Sequence, residues 1–221
     1  MSLAVIFDVD GLLLDTERIS SEGWRRAMSV RGYTLTDKFY LNMVGLTPKD
    51  VRPIMAAEFG DNFPFDEAYA DRLEYIDNYV RLHGIPDRPG SRELLDYLKD
   101  KNLRMAVASS APGARSREKL ALTCLDDYFE VFVFGDEVVN GKPAPDIFLG
   151  AANGLGVPPQ NCIVLEDSAA GVRAAHAAGI DVIMVPDLIQ PDDELHAMAL
   201  AVLPDLFAVK QLFDEQLIPQ S

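Results

Sequence analysis

Residues 4–17 read AVIFDVDGLLLDTE, an apolar run that ends against three aspartates, Asp8, Asp10 and Asp15. The run is continuous rather than alternating in its hydrophobicity, the pattern of a strand covered on both faces, as in a parallel sheet. Like charges crowded at a partly dry strand end repel one another, so the cluster needs open water or a bound cation to offset the cost. On an extended chain Asp8 and Asp10 share a face, and Gly11 permits a turn that brings both carboxylates to one pocket.

Similar runs recur at 103–108, 131–134, 162–165 and 181–185, with helical segments expected between them at 91–100, 113–122, 145–154 and 168–178. This order predicts an α/β fold, a Rossmann-like doubly wound parallel sheet. Between the first and second runs the chain is far longer than one crossover helix requires. Residues 16–83 read as helical pieces near 17–31, 36–43, 47–59 and 65–82; in the last, Tyr69, Leu73, Ile76 and Val80 recur at helical spacing and Gly84 follows as a stop. The expected organisation is therefore a core domain made of 1–15 and 84–221, with an inserted all-α cap domain at 16–83 and GIPDRPG at 84–90 as the return linker. Such an insertion stands above the strand ends, where open α/β sheets bind ligands.

The 221 residues can bury one substantial core. They carry 35 acidic against 20 basic side chains, a formal charge of −15. That field repels polyanions, so nucleic acid and anionic membrane are not expected as partners, and a monomer is expected. No apolar run approaches the roughly 20 residues that span a bilayer, and MSLAVIFD has neither a basic nor a long apolar segment, so a cytoplasmic location is expected. Cys124 and Cys162 stand far from other cysteines and from histidines at ligand spacing, and are expected to be small buried hydrophobes.

Polar groups follow the other runs as well. Ser109 and Ser110 end the second; Lys142 lies in GKPAPDIF between Gly141 and Pro143, where flanking prolines restrict the backbone; Glu166 and Asp167 end the fourth. Singly they read as a helix cap, a surface charge and acids at a helix N-terminus. Those readings do not explain why anions, hydroxyls and one fixed cation all fall at carboxyl ends of strands of one sheet. Together they suit a phosphoryl site, with carboxylates for Mg²⁺ and hydroxyl, amide and lysine donors for phosphate oxygens.

DVDGLLLDTE, VASSA, GKPAPDIF and LEDSAAGVRAA, in this order and at these separations, resemble the motifs of the haloacid dehalogenase superfamily. The resemblance is to the branch with a helical C1-type cap after the first motif, which includes β-phosphoglucomutase-like sugar phosphatases. It implies that Asp8 is a nucleophile that becomes an aspartyl phosphate and that Asp10 is the general acid and base. It also implies Mg²⁺ held by Asp8, the Asp10 carbonyl and Asp167, with Glu166 near or through water, and phosphate oxygens gripped by Ser109, Ser110 and Lys142. Asp15 would brace the loop or, with Thr16, cap the first cap helix.

The expected function is thus a Mg²⁺-dependent phosphatase for a small phosphomonoester, a sugar phosphate. Two alternatives stand beside it: a sugar phosphomutase, and an inactive phosphometabolite-binding protein. An acid at position 10 favours phosphate esters within the family, and Ser20 and Pro48 occupy positions where β-phosphoglucomutases carry a histidine and an arginine. Lys49, Asp50 and Arg52, after Gly45, are the candidates for reading the rest of the substrate. Trp24 is expected in the cap core, and His83, His176 and His196 are assigned no role.

Overall fold

The computed structural model describes residues 3–218. Among these, six strands form one parallel sheet: β1 (Ala4–Phe7), β2 (Arg104–Ser109), β3 (Val131–Phe134), β4 (Cys162–Glu166), β5 (Asp181–Met184) and β6 (Ala201–Val202), in the spatial order β3-β2-β1-β4-β5-β6. The strand order reverses around β1, so a crevice opens at its carboxyl end. Val5 and Phe7 enter one apolar layer while Ala4 and Ile6 enter the other, and all four are fully buried. Burial on both faces is why AVIF shows no polar alternation.

On the first face lie α5 (Ser91–Asp100), α6 (Gly113–Leu122) and α10 (Leu206–Leu212), which contribute Leu94, Leu98, Leu120, Leu206 and Val209. On the second lie α7 (Asp146–Leu155), α8 (Ala169–Ala177) and α9 (Asp193–Met198), with Ile147, Phe148, Val172 and Leu195. Strand β6 and helices α9 and α10 had no counterpart in the sequence reading, because a two-residue strand has no measurable periodicity and the flanking helices are short.

Between β1 and β2 run α1 (Glu17–Ser29), α2 (Asp37–Leu41), α3 (Pro48–Phe59) and α4 (Phe65–His83). They share an apolar cluster of their own that includes Met28, Met55 and Ala68. Trp24 is buried in it, with ring centroids 5.8 Å from Phe65 and 6.1 Å from Tyr69. The two crossings between this cluster and the sheet lie side by side: Asp15 N–H donates to the Pro86 carbonyl at 2.8 Å, and Arg88 N–H to Leu13 at 2.8 Å. Asp15 pairs with Arg18, whose guanidinium also reaches Asp187 at 3.1 Å, and Arg88 joins the same Asp187 at 2.9 Å. Asp15 is thus a brace across the crossing. Thr16 precedes α1 without capping it.

Cys162 is buried as expected, but Cys124 is exposed. It follows α6 in a left-handed turn with φ 55°, which swings its side chain off the helix and away from the layer below. The three histidines are exposed. No described helix is long and apolar enough to cross a membrane.

Candidate active site

Register builds the site. Phe7 of β1 is level with Val107 of β2 and Leu165 of β4, so the next residues, Asp8, Ala108 and Glu166, stand abreast where the sheet ends. The Asp8 N–H extends the ladder to Leu165 O at 3.1 Å. Lys142 enters from the loop between β3 and α7, and its Nζ donates to Asp8 Oδ1 at 2.5 Å, Glu166 Oε1 at 2.6 Å and the Ala108 carbonyl at 3.0 Å. Its three N–H groups are all used and its side chain is wholly buried.

Glu166 is equally committed. Its Oε2 accepts from the N–H groups of Asp167 and Ser168 and from the Ser168 hydroxyl, each at 2.9 Å. A Cβ at Gly171 would lie 1.8 Å from Oε1, so the first turn of α8 closes over the carboxylate only because it has no side chain there. The sequence placed Glu166 near the metal. In the structure its oxygens are taken by Lys142 and the start of α8, so it is the lysine's counter-ion.

Burial pushes the Asp8 carboxyl up to about 7 against the pull of Lys142, with Glu166 and Asp10 adding to the rise. Burial works against the charge on Lys142, but the Asp8 and Glu166 carboxylates outweigh it and hold the ammonium above its ordinary range. Asp167 is raised well above the usual carboxylate range, by burial first and then by Glu166 and Asp8. Its carboxylate is 2.2 Å from where a Cβ on Gly11 would stand, and no described donor reaches it.

Two crowded carboxylates, one lacking any donor, are a setting that a divalent cation would relieve. Among the described residues no three His, Cys, Asp or Glu side chains group as a metal cage. A cation here would therefore rest on two carboxylates, a backbone carbonyl and water, a set of hard oxygens that suits Mg²⁺.

Asp10 has different neighbours. Its Oδ1 receives the Thr16 hydroxyl at 2.5 Å and the Lys119 ammonium, which also donates to Oδ2 at 2.6 Å. Burial alone would raise this carboxyl, but Lys119 and Thr16 pull it below its ordinary value. The two aspartates of DVD are thus held in opposite electrostatic settings.

Asp8 and Asp10 open on a cavity of about 640 Å³ between sheet and cap helices, where Ser109, Ser110 and Lys119 form part of the core wall. Ser109 is buried, its hydroxyl accepting from Ala111 N–H at 3.2 Å, and Ser110 ties the layers together by donating to the Gly45 carbonyl at 2.7 Å. The stripe Tyr69, Leu73, Ile76 and Val80, whose helical spacing marks α4 in the sequence, lines the cavity together with Trp24. Arg72 lies on the same side of α4. Its Nη2 donates to Ser20 Oγ at 2.7 Å, its Nε is buried without an acceptor, and its guanidinium sits 5.4 Å from the Trp24 ring. Nearby, the Tyr40 hydroxyl is 2.6 Å from Glu17 Oε2, and burial lifts Glu17 to about 7 although Tyr40 opposes the rise.

Lys49, Asp50 and Arg52 do not line this cavity. Thr47 starts α3 by capping it, and Asp50 turns back to accept the Thr47 hydroxyl at 2.5 Å. Arg52 binds Asp66 at the outer surface, over the Phe65 ring, and Lys49 is exposed. Lys49 and Arg52 point to solvent, while Asp50 lies against the core loop, its Oδ2 2.8 Å from where a Cβ on Gly141 would stand. Thr16, Glu17, Tyr40, Arg72 and Lys119 take the place that the sequence assigned to them.

The family model for haloacid dehalogenase-like hydrolases matches residues 5–185. The chain is 38% identical over 180 residues to the phosphorylated carbohydrates phosphatase of Thermotoga maritima, covering 80% of this chain and 82% of that one. Its fold is similar to the crystal structure of CbbY from Rhodobacter sphaeroides in complex with phosphate, with a TM-score of 0.79, 26% identity and 93% and 95% of the two chains covered. It is also similar to that of β-phosphoglucomutase from Clostridium difficile, with a TM-score of 0.78, 26% identity and 99% and 100% covered. The sheet order, the motifs at its strand ends and these likenesses agree, and the chain belongs to the haloacid dehalogenase-like hydrolase family.

Proposed function

We propose that the protein is a Mg²⁺-dependent phosphatase that hydrolyses a small phosphomonoester, a phosphorylated carbohydrate, through an aspartyl phosphate on Asp8. The observation that carries this reading is the buried Lys142 ammonium fixed on Asp8 Oδ1 beside a wall of donors, with no donor among the described residues on Oδ2. Oδ2 is then the oxygen that attacks phosphorus, and Lys142 lowers the repulsion between carboxylate and phosphate. The bond from phosphorus to the substrate's alcohol oxygen breaks, and Asp10, which must first bind a proton against the pull of Lys119 and Thr16, gives that oxygen the proton. In the second half Asp10 takes a proton from water, the water oxygen attacks phosphorus, and Asp8 and inorganic phosphate are released.

Mg²⁺, held by Asp8, Asp167 and the Asp10 carbonyl, would supply charge neutralisation at the phosphoryl oxygens. Ser109 and Ser110 border the phosphate end of the cavity. Arg72, Ser20, Trp24 and Tyr69 face the sugar, the guanidinium to meet hydroxyls and the rings to cover carbon faces. Residues 16–83 act as a cap domain over a core made of 1–15 and 84–221. In this reading the chain works as a cytoplasmic monomer on a small phosphorylated metabolite, without nucleic acid or membrane.

The test is phosphate release from a panel of phosphorylated sugars with Mg²⁺ and with excess chelator. Release from at least one ester, abolished by chelator, is expected. No release from any of them, or full activity in chelator, refutes the reading, and phosphate retained on an isomerised sugar would make the protein a mutase.

A further inference from the structure

Lys119 lies in the last turn of α6, 109 residues from Asp10 along the chain, and outside every motif of the sequence. Helical side chains lean back toward the N-terminus of their helix, here toward the end of β2 and the cavity. Its ammonium spans both oxygens of Asp10, and each of the two side chains is 19% exposed. The Thr16 hydroxyl is the third donor, on Oδ1.

The ammonium donates to both carboxylate oxygens and the Thr16 hydroxyl adds a second donor on Oδ1, so contacts on both oxygens fix the plane of the Asp10 carboxylate.

We propose that Lys119 is a positioning residue for Asp10: it spans both carboxylate oxygens and, with Thr16, fixes the plane in which the carboxylate meets the leaving group. This rests on the reading of Asp10 as general acid and base. Without Lys119 the carboxylate keeps only the Thr16 bond at one oxygen, and repulsion from Asp8 turns it away from the leaving oxygen.

The experiment compares full-length wild type, Lys119→Met and Lys119→Arg, with Mg²⁺, on two esters: an alkyl ester, the best sugar phosphate of the panel, and an aryl ester, p-nitrophenyl phosphate. A sugar alkoxide needs a proton as it leaves and a nitrophenolate does not. General acid catalysis is worth ~10²–10⁴ in rate. Lys119→Met is therefore expected to lower kcat on the sugar phosphate at least about tenfold more than on the aryl ester, and to change KM for both far less.

Lys119→Arg, which restores a cation at the carboxylate, is expected to recover most of the alkyl rate. A purely structural role would lower both rates together and depress the unfolding temperature, and a purely substrate-binding role would raise KM. Equal losses on the two esters, no loss on either, or a loss confined to KM overturns the assignment of Lys119. A wild type that cleaves neither ester overturns the phosphatase reading and this inference with it.

Discussion

Replacing Lys142 by Met preserves the length of the buried stem and removes the ammonium that Asp8 and Glu166 share at 2.5 and 2.6 Å. Breaking a buried ion pair by deleting one partner costs ~3–5 kcal/mol, because the other charge stays buried and uncompensated. Here two carboxylates with side chains 9% and 0% exposed lose one cation, which places the cost at the upper end, ~5 kcal/mol. For a chain of this length each kcal/mol is worth ~2–4 °C, so Tm falls by ~10–20 °C.

The pH dependence of that loss has a fixed sign. Asp8 is already raised to about 7 with Lys142 present, and removing the cation raises it further. A carboxyl whose pKa is higher in the folded than in the unfolded state binds the extra proton only when folded, so stability falls as pH rises between the two values. The deficit of Lys142→Met is therefore widest above pH ~7 and narrows toward pH ~5. Thermal unfolding of both proteins in excess chelator measures it. Adding Glu166→Gln to the variant removes one stranded charge and recovers part of the loss. If Lys142→Met unfolds within about 3 °C of wild type at all pH values, about 1 kcal/mol against the ~3–5 kcal/mol expected, the electrostatic account of this site is wrong.

Glu17 is raised from 4.5 to about 7, chiefly by burial. That shift costs about 3 kcal/mol of stability once pH exceeds the folded value, at ~1.4 kcal/mol per unit. Glu17→Gln, which still accepts from Tyr40, should therefore be more stable than wild type at alkaline pH and equal to it near the unfolded value, as read by denaturant unfolding; a gain at acid pH instead would reverse the assignment. Gly171→Ala drives a Cβ to 1.8 Å from Glu166 Oε1, so it should lower both Tm and kcat, whereas Gly32→Ala, with nothing within 4 Å of its Cβ, should leave kcat unaltered. Arg72→Ala should lower kcat/KM for the best sugar phosphate at least about tenfold, a fully unpaired hydrogen-bonding group being worth ~1–3 kcal/mol. Arg52→Ala, which removes an exposed ion pair and the guanidinium over the Phe65 ring, should change kcat/KM and stability little; equal effects of the two would contradict the placement of the cap wall.

What was legible in the sequence follows from the geometry of parallel sheets. A strand buried on both faces must be apolar throughout, and the first polar residue after it must stand at the sheet's edge, so AVIF and CIVL announced both the layers and the positions of Asp8 and Glu166. Lys142 was legible because prolines fix its loop. Lys119 and Arg72 were not, since each looks like a solvated helical residue and acquires meaning only from a partner distant in the chain, Asp10 in one case and Ser20 in the other.

Asp50 and Arg52 adjoin the Gly45 turn in sequence, but neither reaches the cavity: the Thr47 hydroxyl and the Gly141 loop hold Asp50, and Arg52 turns out to Asp66. The resemblance puts Glu166 near the metal or on it through water, while Ser168 and Gly171 carry the signal that a helix N-terminus claims its oxygens.

The central claim is that Asp8 carries the phosphoryl group during turnover. Rapid acid quenching of the wild type mixed with a hydrolysed sugar phosphate and Mg²⁺, followed by mass spectrometry of the peptide holding Asp8, tests it directly. A phosphoryl adduct on Asp8 that forms within the first turnover, and is absent along with phosphate release in a folded Asp8→Asn protein, is the predicted result. Undiminished phosphate release by Asp8→Asn, or turnover with no adduct on that peptide, would contradict it.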